Sequence, residues 1–211
     1  YVLTNSGPNC DRCIDAGGLK SIFPIFMGRG LKKKYYEKDE IAKMEELGVS
    51  ILGSLLKFAQ GERLGRLVAK FVEDDSEKVD RLVELYIRYR ERVAAVDGRA
   101  AASGSRAGAP PTDDDDPEAE ELYLERLGAG LYTLQLLAAI IASINLNKPC
   151  AARLAMLFHQ QDVTLSSVKG ILDEYADNME HGKSTEASAA ELEQAKAEAD
   201  SVRALAATLA S

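Results

Sequence analysis

The sequence predicts an all-α protein, and three observations carry that expectation. The composition is 46% hydrophobic and 28% charged, with only 6% aromatic residues and no Trp in 211 residues. Ala, Leu, Glu, Lys and Arg are plentiful, a mix that favours helices over pleated sheets. Apolar residues recur at three- and four-residue intervals in segment after segment, and no run reads as a strand. Lastly, Gly17-Gly18 stands between two short apolar-periodic runs. Glycine at a helix end can take the left-handed conformation, and a second glycine lets the next helix start at a sharp angle, close against the first.

The elements follow in order. Asn5-Ser6-Gly7-Pro8 is turn chemistry leading into a short helix through Ile14 and Ala16. After the glycines, Leu19, Ile22, Phe23, Ile25, Phe26 and Met27 mark a second helix, and a polar loop spans about Gly28 to Lys34. A long amphipathic helix from Lys38 to Ala59 carries Ile41, Met44, Leu47, Ile51, Leu52, Leu55 and Leu56 at helical spacing, and Gly61 breaks it. Leu64, Leu67, Val68, Phe71 and Val72 define the next, with Asp74-Asp75-Ser76 as cap candidates for a helix from Glu77 to Val96. That helix buries Val79, Leu82, Val83, Tyr86, Tyr89 and Val93, with Glu77 and Arg81 spaced for an i,i+4 pair. Beyond the stretch DGRAAASGSRAGAPPTDDDDP a long helix is expected from Glu118 to about Leu146, apolar almost all round in its second half. Pro149 suits the first turn of another helix, and Thr164 can cap one that ends at His181-Gly182. The tail from Glu186 to Leu209 has a weak seam of Leu192, Ala195, Ala199, Val202, Leu205 and Leu209. The chain thus divides into helices over 1–96, a flexible acidic linker over 97–117, helices over 118–181 and an Ala-rich C-terminal helix over 182–211. The linker holds no apolar side chain larger than Ala, so it cannot offset the entropy of ordering it.

Charge narrows the partners. The formal net charge is −8, the wrong sign for attraction to nucleic-acid phosphates or anionic lipid, so direct nucleic-acid and membrane binding are not expected and a basic protein partner is. Between Asp97 and Glu121, eight acids face only Arg99 and Arg106, so most of that charge is local. Three cysteines, an odd count with no secretory leader, point to a reducing compartment. The opening at Tyr1 reads as that of a fragment of a longer repeat array. Leu127 to Asn147 is nearly uncharged and about long enough to span a membrane. It carries Thr133, Gln135, Ser143 and Asn145, which suit a helix surrounded by other helices.

Chemistry-bearing motifs are few. Cys10-x-x-Cys13 could be a thiol-redox pair, but that motif needs a preceding strand and the start of a helix. A zinc site needs four ligands, and Cys150, His159 and His181 are isolated. The two cysteines are therefore read as packing residues, and the histidines as helix C-terminal caps. Asp113 to Asp116 lacks the spacing and Gly of a calcium loop. Gly28-x-Gly30 and Gly128-x-Gly130 lack a third glycine and the strand of a dinucleotide fingerprint. No catalytic residue, metal or cofactor is expected.

The stretch IDAGGLKSIFPIF, Ile14 to Phe26, resembles the junction between the second and third helices of an armadillo repeat. With the blocks Leu3 to Met27, Asp75 to Tyr86, Glu120 to Gln135 and Val168 to Met179, the chain over 1–181 resembles the beta-catenin-like family of nuclear, spliceosome-associated armadillo proteins. The resemblance fails in the linker and the Ala-rich tail. It implies an armadillo-type helical solenoid without catalytic activity, acting in pre-mRNA splicing in the nucleus with the nineteen complex. The partner it implies is a CDC5-like splicing factor, bound through that factor's basic localisation-type segment; in vertebrates it adds activation-induced deaminase. Such scaffolds bind extended peptides along a face where exposed side chains recur layer by layer. Asp80, Glu84 and Glu91, with Asp173 and Asp177 on the later helix, have the spacing to meet a basic peptide, and plain solvated faces remain the alternative for each. Self-association is compatible with the same architecture. An import adaptor of the importin-α type is the alternative function; that class uses Trp arrays, and this chain has no Trp.

Overall fold

A computed structural model describes Leu3 and residues 6–29, 36–102, 117–181 and 188–210. Among these every regular element is helical: α1 (Gly7–Asp15), α2 (Leu19–Phe26), α3 (Lys38–Phe58), α4 (Gly61–Val72), α5 (Glu77–Ala102), α6 (Pro117–Gly128), α7 (Leu131–Asn145), α8 (Lys148–Gln160), α9 (Leu165–His181) and α10 (Ala189–Ala207). Two 3-10 turns, Asp74–Ser76 and Thr208–Ala210, complete the set. The chain groups into two compact units, residues 1–83 with 143–161 and residues 84–142 with 162–211.

In the first unit the twin glycines do two different jobs. Gly17 sits at φ +79, and its N–H donates to the Ile14 carbonyl at 3.1 Å while that of Gly18 donates to the Cys13 carbonyl at 2.8 Å. Together these bonds satisfy the last carbonyls of α1 with the left-handed residue in the position glycine favours. Gly18 has an ordinary backbone, but a Cβ there would lie 2.6 Å from Cys13 Sγ and 2.8 Å from its carbonyl oxygen. One glycine is needed for conformation and the other for closeness.

Close approach at that turn sets α1 and α2 onto α3. The core beneath is aromatic: Phe23 meets Phe71 edge-on at 5.3 Å between ring centroids, and Phe26 meets both. Such pairs add about 0.5–1.5 kcal/mol each beyond the area they bury. The stripe expected on α3 is displaced. Leu47 is 47% exposed, whereas Glu45 is buried and accepts from Arg81 Nη2 at 2.6 Å. Arg81 Nε also donates to the Phe26 carbonyl at 3.4 Å, at the end of α2. The i,i+4 pair expected between Glu77 and Arg81 therefore gives way to a long-range one, and Glu77 takes Arg29 instead at 2.6 Å. Asp74, Asp75 and Ser76 depart from the cap expectation as well. All three lie at positive φ (54, 53 and 63), and Asp74 accepts from the buried Lys78 at 2.8 Å.

The second unit is packed with aliphatic residues and two tyrosines, Tyr86 and Tyr89, both fully buried. The single helix expected from Glu118 to Leu146 is two, α6 and α7, bent by 63°. Gly130 makes the break: its φ is +101, and a Cβ would lie 2.5 Å from Cδ1 of Tyr89. No single helix among the described residues is long and apolar enough to cross a membrane. Leu131, Leu134, Leu137, Ile140 and Ile141 of the apolar stretch are buried. α5 runs to Ala102, past the Val96 end expected for it. Ala and Arg at 99–102 are good helix formers, and two ion pairs with α6, Asp97 to Arg126 at 3.0 Å and Arg99 to Glu125 at 3.8 Å, hold the extension. Residues 103–116, the rest of the expected linker, lie outside the described residues.

The Ala-rich tail docks. α10 packs along α9, burying Ala195, Ala199, Ala206 and, from the turn after it, Leu209, while Leu192 of the expected seam is 47% exposed. A buried carbon contributes about 0.8 kcal/mol, so a methyl seam is weaker per residue than the phenylalanine core. Ser188 and Glu191 cap α10 reciprocally: Glu191 N–H donates to Ser188 Oγ at 3.3 Å and Ser188 N–H to Glu191 Oε2 at 2.9 Å.

Candidate functional site

The residues singled out by spacing are carboxylates, which recognise cations best when held on rigid helices, so they and their partners are the place to look. In the first unit Asp80 of α5 is partly exposed and grips Arg153 of α8 in a two-pronged pair, its Oδ1 accepting from Arg153 Nε at 2.6 Å and Oδ2 from Nη2. A second such grip joins α1 to α4. Asp15 accepts from Arg63 through Nε and Nη2 at 2.7–3.1 Å and from Arg66 at 2.7 Å. Hydrogen bonds from Arg63, then Arg66, hold the Asp15 carboxyl down at about 2. A shallow groove of about 470 Å³ lies between α4 and α8, lined by Gly65, Ala69, Val72, Glu73, Asn147 and Pro149.

The other four acids singled out by spacing belong to the second unit. Glu84 is exposed, with Arg88 3.7 Å away, and Glu91 is exposed further along α5. Asp173 on α9 pairs with Lys169 one turn back. Asp177, also on α9, accepts from Arg203 of α10 at 2.8 Å. The same guanidinium reaches Glu180 at 2.6 and 3.0 Å.

Sequence reasoning missed the cations and the buried partners. Arg153, Arg203 and Glu180 give no periodic signal, although Arg203 is the one arginine of its helix. Arg126 is the clearest omission. Its side chain is 8% exposed and binds Glu174 through Nη1 and, at 3.2 Å, Nη2. The 3.0 Å approach of its Nε to Asp97 Oδ1 is an ion pair without hydrogen-bond alignment. Burial pushes the Asp97 carboxyl above its usual range, with Arg126 opposing.

The thiols behave as packing residues. Cys10 is fully buried and donates to the Leu3 carbonyl at 3.3 Å, and Cys10, Cys13 and Cys150 are all free. Burial raises all three above the ordinary thiol range, opposite to the lowered value a redox thiol needs. His159 is exposed in the last turn of α8. The His181 side chain and Asp113 to Asp116 lie outside the described residues. Among those described, no group of three or more His, Cys, Asp or Glu is placed to hold a metal ion.

The described elements are all helical and a Gly-Gly turn joins the first two, as in a helical protein of the armadillo class. The profile of the family described as "Catenin-beta-like, Arm-motif containing nuclear" matches residues 1–173. The chain is 39% identical over 183 residues to beta-catenin-like protein 1 of Homo sapiens and of Bos taurus, covering 84% of this chain and 32% of each relative. It is 27% identical over 178 residues to the beta-catenin-like protein 1 homolog of Schizosaccharomyces pombe, 83% of this chain and 28% of the relative. This chain belongs to the beta-catenin-like family of nuclear armadillo-motif proteins. It spans about a third of the length of those relatives, 32% for the mammalian pair.

Proposed function

We propose that the chain is part of a non-catalytic protein-interaction scaffold of the nucleus, associated with the spliceosome and acting in pre-mRNA splicing, whose partner presents a basic segment of the kind a CDC5-like factor carries. The observation that supports this most is the family match over 1–173, whose description is nuclear and armadillo-type. Physical chemistry supports the choice of partner. Asp80 and Asp177 each already bind a guanidinium from within the chain, which is the interaction a basic segment would offer. Glu84 and Glu91 stay exposed on the same long helix.

The test is binding of a labelled Lys- and Arg-rich localisation-type peptide to the chain, followed by fluorescence anisotropy across a salt series. The expected result is saturable binding that weakens steeply as salt rises, because exposed charges are screened over about 8–10 Å at moderate ionic strength. Absent or salt-insensitive binding would sink the reading.

A further inference from the structure

Tyr132 is the second residue of α7 and Tyr175 lies in the second half of α9. The fold of the second unit sets their rings edge-on, with 6.4 Å between centroids and 69° between planes. Phe23 and Phe71 make the same kind of contact at 5.3 Å, so the tyrosine pair stands about 1 Å further open. Water reaches it: Tyr132 is 46% exposed and Tyr175 is half-buried. Tyr123 of α6 is a third phenol within electrostatic reach of Tyr175. Glu198 of α10 completes the group, its carboxylate accepting from the neutral Gln194 amide at 3.1 Å. Burial pushes the hydroxyls of Tyr132 and Tyr175 above the ordinary phenol range, and the nearby Glu198 charge adds to the effect.

An aromatic face is electron-rich, and a cation within about 6 Å of a ring centroid is attracted to it. The chain uses this elsewhere with its own cations, Arg92 standing 5.1 Å from the Tyr89 centroid and Arg90 6.0 Å from that of Tyr86. At Tyr132 and Tyr175 the charged neighbour they share among the described residues is instead an anion. At the spacing of this pair, a cation set off both ring planes would lie about 4–6 Å from each centroid. We propose that Tyr132, Tyr175 and Glu198 form a binding site for a quaternary ammonium group, of the kind carried by a trimethylated lysine side chain or by choline. Ring faces offer few lone pairs, so they suit a cation that makes no hydrogen bonds. A plain ammonium, with three N–H donors and strong hydration, loses more on leaving water. The site shares no residue with the carboxylates proposed above to meet a basic segment.

The test titrates the full chain into N-acetyl-trimethyllysine amide and into choline, following the proton resonance of the ligand N-methyl groups. Methyl groups held over ring faces move upfield, so a saturable upfield shift is expected. Two controls isolate the charge and its hydration. The carbon isosteres, with tert-butyl in place of trimethylammonium, and unmethylated N-acetyl-lysine amide should each bind about tenfold more weakly. Tyr132→Ala should lose about as much, Tyr132→Phe should keep binding because the face remains, and Glu198→Gln should weaken it about threefold. Circular dichroism verifies that each variant folds, and Glu198→Gln carries the test should Tyr132→Ala fail to. Tighter binding of the lysine probe assigns a peptide side chain and tighter binding of choline a free small molecule; either supports the site. No saturable shift, a downfield shift, or isosteres that bind as well as the cations overturns it. So does binding that survives Tyr132→Ala in a folded protein. The localisation-type peptide depends on other residues, so either proposal can fail while the other stands.

Discussion

In the first unit three phenylalanines from two helices meet edge-on under a Gly-Gly turn. In the second, aliphatic side chains, two buried tyrosines, a nearly buried arginine and a seam of alanines fill the corresponding role. The first kind of core draws its stability from large apolar area, which no pH or salt change removes. The second relies more on close-fitting geometry, while each unit also holds a nearly buried ion pair, Glu45 with Arg81 in the first and Glu174 with Arg126 in the second. Failure modes should differ accordingly.

Phe71→Ala should have the largest effect, about 3–5 kcal/mol lost, since it removes a fully buried ring and both of its edge contacts; urea unfolding monitored by circular dichroism measures it. Arg126→Met comes next at about 2–4 kcal/mol, below the value for a fully buried pair because Asp97 and Glu174 keep partial contact with water. Its loss has a pH signature. Asp97 is already harder to ionise than usual, and without Arg126 the charged form is penalised further, so the deficit should shrink as pH falls and Asp97 takes up its proton. A deficit that stays constant from neutral to acid pH would show that Arg126 acts by packing alone.

Gly130→Ala should cost about 2–3 kcal/mol, combining a φ of +101 with a methyl group driven into the Tyr89 ring. Gly17→Ala faces open space at φ +79, so only the backbone is strained and about 1 kcal/mol is expected. Equal costs at the two glycines would deny that the Tyr89 ring adds to the backbone strain at Gly130. The smallest effect belongs to Asp15→Asn. The folded carboxyl titrates at about 2 against an ordinary 3.8, so its contribution is complete above 3.8 and disappears as pH falls through 2. Melting curves of the two proteins should therefore differ slightly at neutral pH and converge toward pH 2.

Much of this was legible in the residues. Periodicity located the helices, and Thr164 caps α9 as expected, its Oγ1 accepting from Ser167 N–H at 3.1 Å. Pro149 lies in the first turn of α8, although the cap there, Asn147, gave no earlier sign. The Glu118 to Leu146 stretch was misread as one helix because hydrophobicity continues through the break. Gly128-x-Gly130 was visible, but the left-handed backbone and the Tyr89 ring that together make glycine obligatory at 130 appear only in the fold. Leu47 and Glu45 exchanged roles for a similar reason. A periodic pattern ranks residues by hydrophobicity, and a carboxylate enters the interior when an arginine from a distant helix meets it.

The sequence alone determined the class of element, the turn at the twin glycines and the family, since all three depend on interactions within a few residues or on matching residues in order. Tertiary structure decided which carboxylates are already occupied, where the long apolar stretch bends and that the alanine tail lies on α9. Those outcomes depend on groups that approach from helices far apart in the chain, and neither local propensity nor spacing carries information about which of them will meet.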